Sequence, residues 1–245
     1  MSSTRFALLV PYRNREYNLV HFLLNLQWYL DPGSFDIIVV EQADSLPFNR
    51  GYTLNIGFHI ARRRHAYSHY VFHDVDLIPQ QADYSFPHCP THLSAATGQF
   101  LYDVPYENAF GGVVLFNQDD FENVNGFSNS YWGWGREDYD LRCRCLKVGL
   151  KIERRPGRFI SLPHSVETGL DAAWARNRER FDILQDTDFR KDGLSSLDYD
   201  VVKSVELTDV PFIEKNKALS RPVQWSSVIL KGSDAVGPAA IAEAR

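Results

Sequence analysis

Long apolar runs and paired cysteines are both missing from this sequence of 245 residues. The apolar stretch Phe6–Val10 is far shorter than the ~20 residues of a membrane-spanning helix, and nothing resembles a signal peptide. The cysteines Cys89, Cys143 and Cys145 are odd in number, which favours a reducing compartment, and they lack the ligand spacing of a zinc site. We therefore expect no membrane span, no disulfide framework and no structural zinc.

An excess of positive charge is missing as well. The chain has 26 Lys and Arg against 31 Asp and Glu, a formal net charge of -5, which argues against binding to nucleic acid. Hydrophobic residues make up 44% and charged residues 23%, which is typical of a globular protein with a sizeable core. Aromatic residues are plentiful at 13%, and some are available to stack against a flat ligand.

Short apolar runs alternate with segments of helical periodicity along the chain. We predict strands over 6–12, 36–41, 70–74, 111–116 and 151–155, and helices over 16–30, 51–64, 117–125 and 137–148. This alternation indicates an α/β sheet covered on both faces, with ligands at the carboxyl ends of its strands. One domain is expected over 1–230, followed by a flexible tail over 231–245.

Two carboxylates follow the predicted third strand in HYVFHDVDLIP. Asp74 and Asp76 are two residues apart, so in extended chain both side chains would leave on the same side. A hard divalent cation bridging a diphosphate would offset the cost of placing them together. The alternative is a solvated strand end in which the aspartates only form a turn.

Arginines follow the first two predicted strands. PYRNRE places Arg13 and Arg15 at the end of the first strand, and FNRG places Phe48 and Arg50 before the second helix. Arginine binds phosphate in a bidentate manner and Phe48 offers a stacking face for a base, although surface arginines often only confer solubility.

The segment YWGWGREDYD joins aromatic residues to acids. Glycines on either side of Trp134 would let the loop swing over a ligand, while Glu137 and Asp138 begin the next helix. The acids are also explained as N-terminal helix stabilisers, because the helix dipole favours negative charge there. The glycine pair at 111–112 would allow backbone to approach a ligand closely, or would only form a bend.

Taken in order and spacing, PYRNRE, FNRG, FHDVDLIP, FGG, NGFSNSYWGWGRED and RFD…DGLSSLDY resemble the β-1,4-galactosyltransferase family over roughly residues 5–205. The resemblance implies a GT-A fold: a single α/β domain with a mixed, mostly parallel central sheet and helices on both faces. It also implies an inverting transferase that uses Mn²⁺, a UDP-sugar donor and a saccharide acceptor.

The resemblance assigns roles by matching position. Asp138 would be the general base, Glu137 would bind hydroxyl groups and Trp134 would close over the donor. A loop over about 162–182 would fold over the occupied site. The implied donor residues are Pro11, Arg13, Arg15, Phe48, Arg50, Asp74, Ala109, Gly112 and Trp134; the acceptor residues are Phe100, Tyr106, Glu137, Asp138, Arg180, Phe181 and Leu184; the metal ligands are Asp76, His164 and Ser161.

Three positions depart from the family pattern. Ser161 stands where some members have a methionine ligand, which should relax the preference for Mn²⁺ towards Mg²⁺. Ala109 replaces a tyrosine that faces the sugar's 2-position, which opens room for an N-acetyl group. Tyr139 replaces a third acid, so the like-charge effect on Asp138 is smaller.

We therefore predict an inverting β-1,4-glycosyltransferase that moves galactose or N-acetylgalactosamine from UDP to a sugar, with terminal N-acetylglucosamine as the expected acceptor. The alternatives are an N-acetylgalactosaminyltransferase, a non-catalytic carbohydrate-binding protein, and a nucleotidyltransferase or sugar-nucleotide hydrolase. The positions of the family's disulfide match His69 and Phe86, so a cytoplasmic, bacterial-type enzyme is expected, with the soluble part of a Golgi-type enzyme as the alternative.

Overall fold

The computed structural model describes residues 5–102, 108–163, 170–209 and 218–231. These residues form a large sheet with the strand order β10-β11-β2-β1-β3-β7-β5-β8 and a small sheet with the order β4-β9-β6. The strands are β1 (Phe6–Tyr12), β2 (Phe35–Gln42), β3 (Tyr70–His73), β4 (Leu77–Ala82), β5 (Thr91–His92), β6 (Ala96–Thr97), β7 (Val113–Phe116), β8 (Glu153–Arg154), β9 (Gly157–Ser161), β10 (Tyr199–Asp209) and β11 (Ala218–Leu230). The helices are α1 (Glu16–Tyr29), α2 (Arg50–Arg64), α3 (Gln118–Asn123), α4 (Glu137–Lys147) and α5 (Leu170–Gln185).

The centre of the large sheet is parallel and its flanks are mixed. β1 pairs in parallel with β2 along its whole length and with β3 on its other side, and β11 pairs in parallel with β2. β7 is antiparallel to β3, and β10 is antiparallel to β11. The predicted mixed, mostly parallel sheet is confirmed.

Both faces of the sheet are buried because the strand residues alternate between two apolar cores. Leu8 and Val10 lie in the core that contains Phe22 and Leu26 of α1. Leu9 and its neighbours on the other face lie in the core that contains α2, α3 and α4. The predicted arrangement, with helices on both faces, is therefore confirmed.

Several elements were not predicted. β4 and β9 form the small sheet, and β10 and β11 form a long antiparallel pair after residue 198. The predicted loop over 162–182 is wrong in its second half, because α5 begins at Leu170. The apolar side chains of α5 are separated by arginines and acids, which hid its periodicity. Residues 232–245, the predicted tail, lie outside the described residues.

The two positions matched to the family's disulfide lie next to each other. The rings of His69 and Phe86 pack edge to face with their centroids 5.8 Å apart. All of the cysteines, Cys89, Cys143 and Cys145, are free. Among the helices of the described residues, none combines the length and the apolar character needed to cross a membrane.

Candidate functional site

The site lies where the central parallel strands end and α2 begins. Asn49 caps α2: its side-chain oxygen accepts from the backbone N–H of Tyr52 at 3.0 Å, and its own N–H donates to the side chain of Gln42 at 2.8 Å. Its side-chain amide also donates to the carbonyl of Asn129 at 2.8 Å, which attaches the loop before α4 to the start of α2. These contacts fix the first residue of α2, Arg50, beneath the acids of the site.

Arg50 is the cation at the centre of the site. Its Nε donates to Asp74 Oδ1 at 2.6 Å, its Nη1 lies 3.6 Å from Glu137 Oε1, and its Nη2 lies 3.5 Å from the carbonyl oxygen of Gly112. The side chain is 13% exposed, so these charges interact with little screening by water. Three predicted donor residues, Arg50, Asp74 and Gly112, are thus brought together, with Arg50 bound to protein carboxylates.

Burial shifts the acids of this cluster towards their protonated forms. Desolvation raises the pKa of Asp74 to about 6, with Asp76 and Asp138 adding to the rise while Arg50 opposes it. Desolvation, followed by the charge of Asp138, raises the pKa of Glu137 to about 7. The Oε2 atom of Glu137 is buried and has no hydrogen-bond partner among the described residues. The 2.6 Å contact with Arg50 favours the ionised form of Asp74, whereas Glu137, whose contact with Arg50 is longer, is poised to hold a proton.

The two aspartates after β3 lie on a turn, not on a strand. β3 ends at His73, and Asp74 and Asp76 belong to the turn that leads into β4. The expectation that both side chains leave an extended strand on one side is therefore wrong. The ring of His73 fixes the start of the turn: its Nδ1 lies 2.8 Å from the Asp74 carbonyl oxygen and its Nε2 lies 2.9 Å from the Tyr84 hydroxyl.

Asp138 lies against the glycine pair. A side-chain carbon at Gly111 would come within 2.4 Å of Asp138 Oδ2. Any residue larger than glycine at this position would therefore displace the Asp138 carboxylate. The carbonyl of Gly111 is held by His92 Nε2 at 3.0 Å and by the hydroxyl of Ser94 at 2.8 Å. Burial lowers the pKa of His92 to about 4, so the ring is neutral and donates this bond. A buried polar shelf therefore sets the position of the glycine backbone against Asp138.

A second part of the site follows β1. The guanidinium of Arg13 lies 5.4 Å from the ring centroid of Phe48 and donates to the carbonyl of Leu46. The carbonyl of Phe48 accepts from Gly133 N–H at 2.8 Å. Arg13 and Phe48, predicted together as donor residues, are thus adjacent to each other and to the aromatic loop.

The other residues of PYRNRE frame this part of the site. Pro11 is buried in β1 opposite Val40, and the backbone carbonyl of Arg15 starts α1 by accepting from Leu19 at 2.9 Å. Both residues therefore lie at the carboxyl end of β1, the edge of the sheet at which the sequence predicts a ligand.

Trp134 is exposed and lies on a loop of left-handed backbone. Its side chain is 60% exposed, and Gly133 and Gly135 have φ values of 76° and 105°, a region that glycine adopts without strain. Asn177 of α5 donates to the Trp134 carbonyl at 3.1 Å. This loop is therefore tied to α5 through its backbone while the indole projects outward.

The predicted acceptor residues fall into two groups. Phe181 lies on α5 with its ring centroid 5.1 Å from that of Tyr139 on α4, and half-buried Arg180 and Leu184 are on the same helix. Phe100 lies apart in a 3₁₀ turn and forms no ring contact with Phe181 in the described parts of the chain. Tyr106 lies outside the described residues.

The candidate metal ligands are only partly described. Ser161 pairs across the small sheet with Leu77, beside Asp76, and its hydroxyl oxygen accepts from Gln99 N–H at 3.2 Å. The carbonyl of Asp76 accepts from Leu162 at 2.8 Å, which places the end of β9 at the aspartate turn. Restricted to the described residues, no group of three or more histidine, cysteine or acid side chains is arranged to hold a metal; His164 lies outside them.

One supporting network was missed from the sequence. Arg144, buried on α4, donates to Asp140 at 2.7 Å and lies 3.7 Å from Asp192 Oδ2. Its Nη1 also donates to the carbonyls of Gly126 and Asp192 at 3.2 and 2.8 Å. The network anchors the helix whose first residues are Glu137 and Asp138. The i,i+4 spacing of Asp140 and Arg144 was its only signal in the sequence.

The sequence is similar to those of known glycosyltransferases. A family model described as the N-terminal region of glycosyl transferase group 7 matches residues 1–90, and one described as the N-terminal domain of galactosyltransferase matches residues 91–165. Human beta-1,4-galactosyltransferase 4 is 39% identical over 212 residues, which cover 82% of this chain and 60% of that protein. The chain belongs to the β-1,4-galactosyltransferase family.

Other members of this family are similarly close. Mouse beta-1,4-galactosyltransferase 1 is 37% identical over 209 residues, covering 82% of this chain and 52% of that protein. The chain thus spans between about half and three fifths of the length of the curated β-1,4-galactosyltransferases that it matches.

Solved structures of the family show the same fold. The catalytic domain of Drosophila beta1,4galactosyltransferase 7 in complex with xylobiose is 26% identical, with a TM-score of 0.72 over 94% of this chain and 95% of that one. A mutant of that galactosyltransferase, crystallised with manganese, UDP-Gal and xylobiose, is 27% identical with a TM-score of 0.71 and the same coverage. The predicted GT-A fold is therefore confirmed.

Proposed function

We propose that this chain is a metal-dependent, inverting β-1,4-galactosyltransferase that moves galactose from UDP-galactose to a sugar hydroxyl. One observation carries the proposal: Arg50 gathers Asp74 and Glu137 at the strand ends, while Asp138 lies directly against Gly111. The acids thus lie beside the Gly111–Gly112 backbone at the strand ends, where we expect the donor sugar to bind. The similarity to relatives named galactosyltransferases supports galactose as the donor sugar.

Asp138 is the proposed general base. One of its oxygens, Oδ1, accepts from Tyr139 N–H at 2.7 Å, so the carboxylate is oriented by backbone at the start of α4. The other oxygen, Oδ2, faces Gly111 and is the proposed acceptor of the proton that the attacking hydroxyl loses. Attack from this side, opposite the departing UDP, inverts the anomeric centre.

Glu137 and Trp134 have supporting roles in this proposal. With its pKa raised to about 7, Glu137 carries a proton for much of the time at neutral pH, so its buried Oε2 is suited to donate a hydrogen bond to a sugar oxygen. The exposed indole of Trp134, on its hinge of left-handed glycines, is suited to cover the donor and exclude water.

The residues present fit a hard divalent cation. The carboxylates of Asp74 and Asp76 share one turn, the hydroxyl of Ser161 lies at the adjacent end of β9, and all three supply oxygen donors. In this proposal Asp76, His164 and Ser161 would hold Mn²⁺ or Mg²⁺, which when bound would supply positive charge to the diphosphate leaving group. The oxygen-rich set favours some tolerance of Mg²⁺.

Ala109 sets the proposed range of donors. Its small side chain is 6% exposed, and its carbonyl is held by Arg154 at 3.1 Å, so the backbone here is fixed. A methyl group is smaller than an aromatic ring, which favours space for a 2-acetamido group. We therefore expect UDP-N-acetylgalactosamine to be used as well as UDP-galactose, and a substitution of Ala109 by tyrosine tests this expectation. Terminal N-acetylglucosamine is the proposed acceptor, on the basis of Phe181 and Leu184.

The test is an array of UDP-galactose and UDP-N-acetylgalactosamine against N-acetylglucosamine and xylose acceptors, with Mn²⁺, Mg²⁺ or EDTA. We expect transfer that needs a metal, and Asp138→Asn should lower it by at least ~100-fold without weakening UDP binding. Ala109→Tyr should remove use of UDP-N-acetylgalactosamine selectively. Near-normal turnover of Asp138→Asn would refute the base assignment, and saccharide binding without any transfer would favour a non-catalytic carbohydrate-binding protein.

A further inference from the structure

Arg136 adopts a conformation that is costly for an arginine. It is the residue immediately before α4 and has a φ of 77°, in the left-handed region that favours glycine. In this region the side chain of any residue other than glycine crowds its own backbone. Gly135 precedes it with a φ of 105°, so the chain has a sharp left-handed corner here. An arginine at this corner is held in place by its surroundings.

Three aromatic rings surround the guanidinium of Arg136. Its central carbon lies 5.6 Å from the ring of Tyr139, 5.3 Å from that of Trp174 and 5.7 Å from that of Phe181. Its Nε is buried and donates to no acceptor in the described parts of the chain. Aromatic rings stabilise a cation through their faces but do not accept the N–H groups at its edge as a carboxylate does.

A second arginine lies on the same indole. The guanidinium of Arg178 is 5.7 Å from the ring of Trp174, so two cations flank one aromatic side chain. Neither Arg136 nor Arg178 forms an ion pair with a carboxylate of the described residues. The two neighbouring acids are engaged elsewhere, because Glu137 lies 3.6 Å from Arg50 and Asp138 accepts from Tyr139 N–H.

This cluster, which we call the arginine–aromatic cluster (Arg136, Tyr139, Trp174, Arg178 and Phe181), contains one of the proposed acceptor residues and begins next to the acids of α4. Arg136 is two residues from Asp138, and Phe181 is part of the proposed acceptor pocket. An anionic acceptor approaching the acids of α4 would be repelled by them. Arg136 and Arg178 would instead attract the anionic group of an acceptor, if that group is placed near α5.

We propose that the arginine–aromatic cluster selects acceptors that carry an anionic group, a carboxylate or a sulfate, on or next to the sugar that is glycosylated. This inference rests on the proposed function and adds a substrate class to it. The planar guanidinium offers paired N–H donors that match two oxygens of a carboxylate or sulfate.

Binding without turnover tests the proposal. Calorimetric titrations with UDP and Mn²⁺ present would compare a glucuronic acid–N-acetylglucosamine disaccharide with its methyl ester, and N-acetylglucosamine 6-sulfate with N-acetylglucosamine. Each pair differs in charge with little change of ring shape, and the two pairs separate carboxylate from sulfate. The proteins are the wild type, Arg136→Gln, Arg178→Gln and, as a matched control, Arg63→Gln at the exposed end of α2.

We expect at least one anionic saccharide to bind about tenfold more tightly than its neutral counterpart, a difference of about 1.4 kcal/mol. Arg136→Gln should reduce that ratio to less than about threefold, Arg178→Gln should reduce it in part, and Arg63→Gln should leave it unchanged. A ratio near one in the wild type, or one that survives both cluster substitutions, overturns the proposal. Equal weakening of the charged and neutral saccharides by Arg136→Gln would also overturn it, because that result indicates a structural clamp.

The outcome also separates this inference from the proposed function. Charge-selective binding without transfer to any acceptor would refute the transferase proposal and retain the anion site. Transfer to neutral and anionic acceptors with equal kcat/KM, together with equal affinities, would refute the anion site alone. Raising the salt concentration to 0.5 M should weaken the expected preference, since partly exposed charges are screened.

Discussion

Replacing Arg50 by methionine should destabilise the protein more than the loss of any exposed arginine. The substitution keeps an unbranched apolar chain but removes the cation that lies 2.6 Å from Asp74 and 3.6 Å from Glu137. Arg50 favours the ionised form of Asp74, which would be left in a poorly solvated position without its partner. Arg50 and Asp74 are 13% and 27% exposed, so their charges are largely withheld from water.

The expected loss is about 3–5 kcal/mol of unfolding free energy, the usual cost of breaking a buried ion pair by removing one partner. The two acids should not contribute equally. The hydrogen-bonded contact to Asp74 should give a coupling energy of about 2 kcal/mol in a double-mutant cycle with Asp74→Asn, and the longer contact to Glu137 less than about 1 kcal/mol with Glu137→Gln.

Urea unfolding at pH 7, with EDTA and without donor, measures these energies in the ligand-free protein. Arg62→Met is the matched control, since Arg62 lies 3.0 Å from Glu122 but the two side chains are 39% and 37% exposed. That pair should contribute no more than about 1 kcal/mol. Equal losses for Arg50→Met and Arg62→Met, or no coupling between Arg50 and Asp74, would refute the account of Arg50 as the central cation. Arg50→Lys keeps the charge and should recover part of the loss.

Three further substitutions test the surroundings of this cation. Glu137→Gln should remove one part of the pH dependence of stability: the pKa of Glu137 rises from 4.5 to about 7 on folding, so the stabilising contribution of this group is lost as the pH rises from about 4.5 through 7. The change in unfolding free energy from pH 5 to pH 8 should therefore be more positive in the variant than in the wild type, by about 1–3 kcal/mol. Gly111→Ala should lower kcat about 100-fold in a transfer assay while the fold is retained, because the added carbon displaces the Asp138 carboxylate. Arg144→Met should cost about 3–5 kcal/mol in urea unfolding by breaking a buried ion pair.

Each of these has a control and an opposing outcome. If the unfolding free energy of Glu137→Gln changes with pH as that of the wild type does, Glu137 is not the group whose pKa is raised on folding. Gly33→Ala, where the added carbon meets only an exposed aspartate at 3.4 Å, should leave kcat unaltered, and full activity of Gly111→Ala would show that Asp138 tolerates displacement. Arg142→Met on the same helix controls for Arg144→Met, and a similar loss for both would argue against the buried network.

The apolar strands and their helices were predictable because their residues report burial directly. FALLVPY, and the four residues IIVV within FDIIVVEQ, are apolar runs, as expected for parallel strands covered on both faces. The long strand β10 was not predictable in this way, because it lies at the edge of the sheet and most of its residues are exposed. Because its residues are exposed or only partly buried, β10 has no apolar run of the kind found in β1 and β2.

The candidate site was predictable as a set of residues but not as a set of contacts. PYRNRE and DVD identify side chains at strand ends, whereas the partners of Arg50 depend on three segments meeting in space. The aspartate turn was misjudged because a strand's last residue depends on hydrogen bonding with its neighbours. The cluster around Arg136 was missed because Trp174 belongs to a helix whose mixed polar sequence resembled a loop.

The position of β11 has a consequence for how the chain folds during synthesis. β2 pairs with β1 on one side and with β11 on the other, although about 180 residues separate β2 from β11 along the chain. Until residues 218–230 leave the ribosome, β2 presents an open hydrogen-bonding edge rich in isoleucine and valine. Such an edge is prone to pair with other nascent chains. Slowing translation just before residue 218 should therefore increase aggregation, whereas slowing it before residue 35, when β2 has not yet been made, should have little effect.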